Sequence, residues 1–101
     1  IHGTEDRTSA WEGDLENKGG WGAYLPVEIA VGYWVAANRC VREQTDTLAL
    51  RRHPVVAHRF VGGTGGNEVW LYKVVDGGHS WAEKDMDTSE EIWHFFGRFV
   101  K

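Results

Sequence analysis

The 101-residue sequence is poor in the residues that mark several common protein classes. Cys40 is its single cysteine, which excludes an internal disulfide and a cysteine metal cluster and leaves the compartment open. No apolar stretch approaches the roughly 20 residues that a membrane-crossing helix needs, so a membrane is not an expected partner. Basic residues are also few: 11 Lys and Arg stand against 15 Asp and Glu, and only Arg51 and Arg52 adjoin. A net charge of -4 without a basic cluster argues against nucleic acid as a partner. His53, His58 and His94 lack metal-ligand spacing with one another, so they are expected to face solvent or bond locally, with no metal and no cofactor.

The remainder is that of a globular chain, with 42% hydrophobic and 26% charged residues. A chain of this length forms one domain at most and buries about 60 to 70% of the surface its unfolded form exposes. It starts at Ile1 with no basic and apolar leader behind it, which leads to the expectation of a piece cut from a longer protein.

Along the chain, "IHGTEDRTSAWEGDLENKGGWG" is rich in Gly, charge and Ser/Thr and reads as a long loop leaving a strand, of which Ile1 is the apolar remnant. In "LPVEIAVGYWVAANRC" the apolar side chains of Val27, Ala30, Val31, Trp34 and Val35 recur at helical spacing, and Pro26 suits a first turn. A helix is expected from about Pro26 to Asn38. "VREQTDTLALRRHP" mixes its signals and is left unassigned between loop and a short extended piece. "VVAHRF" and "EVWLYKVV" are rich in strand formers and joined by "VGGTGGN", which predicts a hairpin whose second strand, apolar on both faces, lies inside a sheet. In "DTSEEIWHFFGRFVK", Thr88 with Glu91 three places on is a capping signature ahead of Ile92, Phe95, Phe96, Phe99 and Val100, predicting a terminal amphipathic helix. Loop, helix, hairpin, loop and helix make the last third of an α/β protein.

Two short motifs fall where strands end, "HGTED" and "DGGHSW". Ligands of open α/β sheets bind beyond the carboxyl ends of strands, where Asp6 and His79 would both lie. A carboxylate and a histidine in that chain order are the acid and base of a Ser-His-Asp triad as α/β-hydrolases arrange it.

These residues carry a family resemblance. The chain resembles the C-terminal part of α/β-hydrolase esterases of the polyhydroxybutyrate depolymerase and feruloyl esterase family. There a stretch like H-G-T-A-D-P-T-V-P-Y-E-G holds the catalytic aspartate, and "HGTEDRTSAWEG" puts that role on Asp6. A stretch like G-G-G-H-T-W-P holds the catalytic histidine, and "DGGHSWA" puts that role on His79. The helix ending near Cys40 and the terminal "DTSEEIWHFFGRF" match too, so the resemblance spans Ile1 to Lys101. It implies that residues 1–101 are the C-terminal fragment of one α/β-hydrolase domain. The parent is then a serine esterase acting on a polyester or aromatic ester, with nucleophile and oxyanion hole upstream and a secreted or periplasmic location. His2 would pack under the acid loop. Arg7, Ser9, Ala10 and Ala82 depart from the family's pattern, which has prolines and a valine there. The glycine-rich hairpin lacks the cysteine that could pair with Cys40 in relatives, which removes one argument for secretion.

Other assignments compete with these. Asp6 could be a plain turn aspartate, with Glu5 or Asp14 as the acid. Trp11, Trp21, Tyr24 and Trp81 are candidates to line an acyl or aromatic pocket, Trp11 and Trp81 foremost, whereas Trp34, Trp70 and Trp93 occupy core-type positions. "GHSWA" imitates the nucleophile elbow G-x-S-x-G, but "EKDMD" intervenes before the helix and Ala82 takes the last place, so Ser80 is a decoy. The rivals in function are another α/β-hydrolase, such as a peptidase or dienelactone hydrolase, and a non-catalytic polymer- or carbohydrate-binding module built on six tryptophans. Taken alone, the fragment is expected to be inactive, with apolar surface left bare where upstream strands should pack.

Overall fold

Four β-strands and two α-helices make a mixed α/β arrangement in the computed structural model, which describes residues 1–20, 22–50, 52–79 and 85–99. The strands are β1 (His2–Gly3), β2 (Arg42–Leu50), β3 (Pro54–Val61) and β4 (Val69–Val74), and the helices are α1 (Val27–Ala37) and α2 (Thr88–Gly97). The sheet order is β1-β4-β3-β2, with β1 parallel to β4 and the other pairs antiparallel. The run "EVWLYKVV" is thus an inner strand with a neighbour on each side, as its two apolar faces require.

β2 is the element that the sequence pattern left unassigned. Residues 42–47 are exposed and polar on both faces, so no alternation announces the strand. It forms because β3 offers a full ladder, with Arg42 opposite Val61 through Thr47 opposite Val56. Charged residues along such an edge oppose pairing with a further chain. The register slips between Thr47 and Ala49, and Leu48 packs against the core there.

The core lies on one face of the sheet, where Val55, Ala57, Tyr72, Val74 and Met86 are buried and Trp70 packs against them. Full burial of a valine such as Val55 contributes roughly 1.5–3 kcal/mol. α2 docks on this face through Phe95, whose ring meets Trp70 edge-on at 5.3 Å. The Tyr72 hydroxyl donates to Glu91 Oε2 at 2.6 Å and accepts from Arg59 Nη2 at 3.3 Å. Burial, then the Glu91 carboxylate, push the Tyr72 phenol up to about 12 against the opposing Arg59 guanidinium.

Both helix boundaries follow local rules, each with a correction. α1 begins at Val27, and Pro26, expected in its first turn, stands just outside as the cap residue with extended ψ. α2 is capped by Asp87, whose side chain accepts the Glu90 amide at 3.0 Å, and Thr88 is already its first helical residue. Asp87 wins because its carboxylate also favours the positive end of the helix dipole. Phe99 lies past the end of α2, and Val100 is outside the described residues.

α1 covers the opposite face with Val27, Ala30, Val31 and Val35 half-buried, while Ile29, Tyr33 and Trp34 are exposed. Trp34 and Trp93 therefore do not occupy the core positions expected of them, because their helix sides have nothing in the described chain to pack on. The exposed ring of Trp34 meets Tyr33 edge-on, at 84°, which is not the coplanar row of a polymer-binding platform. No helix of the described residues is long and apolar enough to cross a membrane.

Candidate functional site: a buried aspartate and an exposed histidine

β1 and β4 run parallel side by side, so the segments that leave their carboxyl ends emerge together. Those segments are "TEDRTSA" and "VDGGH", and backbone bonds tie them. The Thr4 amide donates to Val74 O at 3.0 Å and the Glu5 amide to Gly77 O at 2.9 Å, while Thr4 Oγ1 accepts the Asp76 amide at 2.8 Å. Contact is close enough to require glycine at position 3. A Cβ on Gly3 would collide with the Gly77 carbonyl oxygen and lie 2.6 Å from that of Gly78.

This docking brings Asp6 and His79, 73 positions apart, into a hydrogen bond of 2.8 Å between Asp6 Oδ2 and His79 Nδ1. A carboxylate only accepts, so His79 donates Nδ1–H and the basic lone pair falls on Nε2. The side chain of Asp6 is 5% exposed and that of His79 60%. The other oxygen, Oδ1, accepts the Thr8 and Ser9 amides, each at 2.8 Å. The turn role and the histidine-orienting role of Asp6 thus use different oxygens of one carboxylate. Burial pushes the Asp6 carboxyl up, but the Ser9 amide, the His79 bond and the Thr8 amide together outweigh it and hold the group below the usual carboxylate range.

His2 packs beneath the acid loop. Its Nε2–H donates to Ser9 O at 2.6 Å, and Trp11 meets its ring edge-on at 5.8 Å. Tyr24 serves the same loop, since its hydroxyl accepts the Ala10 amide at 2.9 Å. Asp14 is occupied by its own turn, where its two oxygens take the Lys18 and Gly19 amides, and Glu5 is exposed. Trp11 lines a cleft of about 330 Å³ between α1 and the sheet, with Val31, Val35, Phe60 and Leu71. Trp81, Ser80 and Trp21 lie outside the described residues.

No protein-family model matches this chain, and no curated protein or solved structure matches it significantly.

Of the remaining histidines, His58 and His94 have carboxylate partners on a neighbouring strand or the same helix, whereas His53, expected to face solvent or bond locally, instead bonds Asp85, 32 positions away. His58 Nδ1 lies 3.0 Å from Glu43 Oε1 on the neighbouring strand, and His94 sits 3.6 Å from Glu90 on its own helix. Among the described residues no group of three or more His, Cys, Asp or Glu is placed to hold a metal ion. One pair escaped the sequence: Asp85 Oδ1 takes both the His53 amide, at 2.8 Å, and His53 Nδ1, at 2.9 Å. The only signal was an aspartate between Lys84 and Met86, and its partner, 32 positions away, stands in the segment left unassigned.

Proposed function

We propose that this chain supplies the acid and base of a serine hydrolase, as the C-terminal portion of an α/β-hydrolase domain acting on carboxylic esters. The supporting observation is the Asp6–His79 bond itself, formed beyond the carboxyl ends of two adjacent parallel strands by a buried carboxylate and an exposed ring. The sequence motifs around both residues agree with that role and favour a polyester or aromatic ester as substrate. Trp11, beside the acid loop, and Trp81, two places after His79, are the candidates to contact it.

In this reading a serine from outside these residues attacks the ester carbonyl, and His79 Nε2 takes its proton as the C–O bond to the serine forms. Asp6 holds the ring in the Nδ1–H tautomer and stabilises the imidazolium. Collapse of the tetrahedral intermediate breaks the bond to the leaving alcohol, which receives the proton from Nε2. Water, deprotonated by the same nitrogen, then releases the acid and restores the serine. A peptidase would use the same acid and base, so the choice of ester rests on the motif resemblance.

The test is turnover of a simple aryl ester by the full-length protein, followed from the first turnover. A burst of phenol with saturable turnover, both lost in His79→Ala, is expected. Turnover unchanged by His79→Ala would overturn the proposal.

A further inference from the structure

α2 does not cover the whole of the sheet face on which it docks. Side chains alternate along a strand, so the pairings Gln44–Arg59 and Arg59–Trp70 put these three residues on one face, and Arg42, two places before Gln44, joins them. With His94 and Arg98 at the end of α2 they line a cleft of about 480 Å³, a size typical of small-molecule sites. Trp70 stands four positions before the end of β4, so the cleft lies about 13 Å along the sheet from the strand end that leads to His79. It is therefore separate from the site described above.

Three arginines and two glutamates line this cleft, in a chain whose net charge is -4. Both glutamates are engaged. Glu68 Oε1 accepts Trp70 Nε1–H at 2.8 Å and its Oε2 accepts Arg98 Nε–H at 3.0 Å, while Glu91 Oε2 accepts the Tyr72 hydroxyl and lies 3.8 Å from His94. Among the described residues neither Arg42 nor Arg59 has a carboxylate within 4.0 Å. Arg59 is half-buried, and its guanidinium lies 4.8 Å over the Trp70 ring and 5.7 Å over that of Tyr72, to whose hydroxyl it donates. The ring faces hold the guanidinium in place and leave most of its five N–H donors unspent. Arg42 is paired with Val61 and is thus the diagonal neighbour of Arg59 across the two strands, with side chains that start about 7–8 Å apart. Two cations at that spacing repel each other and converge only on an anion between them.

We propose that this cleft binds a small polar molecule through a carboxylate or phosphate group, held by the guanidinium groups of Arg42 and Arg59 and the Gln44 amide. Arginine forks suit both head groups, since each offers paired oxygens to two N–H donors. The proposal stands apart from the hydrolase reading, because no residue of the cleft belongs to the acid and base pair.

The experiment titrates the isotope-labelled full-length protein with inorganic phosphate in one arm and lactate in the other, followed by NMR. The reporter is the Trp70 indole Nε1–H, which lies in the cleft against Glu68. A saturable shift of that signal is expected in at least one arm, and the arm that saturates more tightly identifies the head group. Arg42→Ala, at an exposed position without a side-chain partner, keeps the fold and should weaken binding about 10- to 100-fold, the worth of a hydrogen bond to a charged group. Arg59→Lys keeps the charge and loses the fork, so it should weaken binding about 10-fold. Lys18→Ala removes an equal charge from an exposed side chain outside the cleft and should leave the affinity unchanged. No saturation in either arm, an affinity that Arg42→Ala leaves at the parent value, or one that Lys18→Ala lowers as much as Arg42→Ala does, would overturn the proposal.

Discussion

Two histidine–aspartate pairs sit at one end of the sheet with nearly the same bond length, 2.8 Å for Asp6–His79 and 2.9 Å for Asp85–His53. Both carboxylates are buried. The rings differ: His79 is 60% exposed and His53 26%. The carboxylates are also used differently, since Asp6 gives one oxygen to two backbone amides and the other to the ring, whereas Asp85 Oδ1 takes both the amide and the ring of His53. A short Nδ1–carboxylate bond therefore does not single out a base. In the proposed reading His79 is the base because its ring, held at Nδ1 by Asp6, is the more exposed of the two, whereas His53 is bound to Asp85 through both its amide and its ring.

The comparison is sharpest where each histidine is removed from the full-length protein. His79→Ala should lower kcat on an aryl ester by on the order of 10⁶, as loss of the histidine does in a serine-protease triad, whereas His53→Ala, which removes no member of the proposed triad, should leave it near the parent value. Steady-state kinetics of the two variants side by side check the gap, and similar losses would erase the distinction.

Gly3→Ala attacks only the first pair, by placing a methyl group against the Gly77 carbonyl. The acid loop and the histidine loop must separate to admit it, at a cost of about 1–3 kcal/mol. Denaturant unfolding should show that loss, and His79 should lose its Asp6-bound Nδ1 proton signal while the His53 signal persists.

Acid pH gives a smaller effect with a defined sign. Asp6 ionises below the usual carboxylate range in the folded state, so the unfolded chain, with an ordinary value of about 3.9, binds the extra proton. Its contribution is fully present above about pH 4 and is lost as pH falls through the folded value. Unfolding free energy measured from pH 6 downward should therefore decline less steeply in Asp6→Asn than in the parent. Asp87→Ala has the least effect: removal of the α2 cap should cost about 1 kcal/mol in the same unfolding measurement, leaving the Asp6–His79 bond intact.

Much of the fold was legible in the sequence where one periodicity dominated. α1 follows the spacing of Val27, Val31 and Val35, and β4 follows an unbroken run of strand formers. β2 was not legible, because Arg42 to Thr47 are polar on both faces and become a strand only through pairing with β3. The α2 cap was misplaced by one residue because Asp87 and Thr88 are both good caps, and it is the Asp87 carboxylate that takes the Glu90 amide. At the site, Asp6 and His79 stood in motifs, and the sheet brings them together. Asp85 and His53 stand in no motif, and a pair joined only by tertiary structure leaves no local trace. Trp34 and Trp93 followed core spacing yet are exposed, since periodicity tells which helix side is apolar and not what covers it.

The most direct test of the central claim removes the charge from each aspartate in turn, Asp6→Asn against Asp85→Asn, and measures aryl-ester kcat of the full-length protein. Asparagine keeps the shape and an acceptor oxygen at both places, so the comparison reads the orientation and charge that each carboxylate gives its histidine. The account predicts a loss of about 10⁴ for Asp6→Asn, through the wrong tautomer of His79, and one of no more than about 100-fold for Asp85→Asn. Near-parent turnover in Asp6→Asn, or a larger loss in Asp85→Asn, would contradict it.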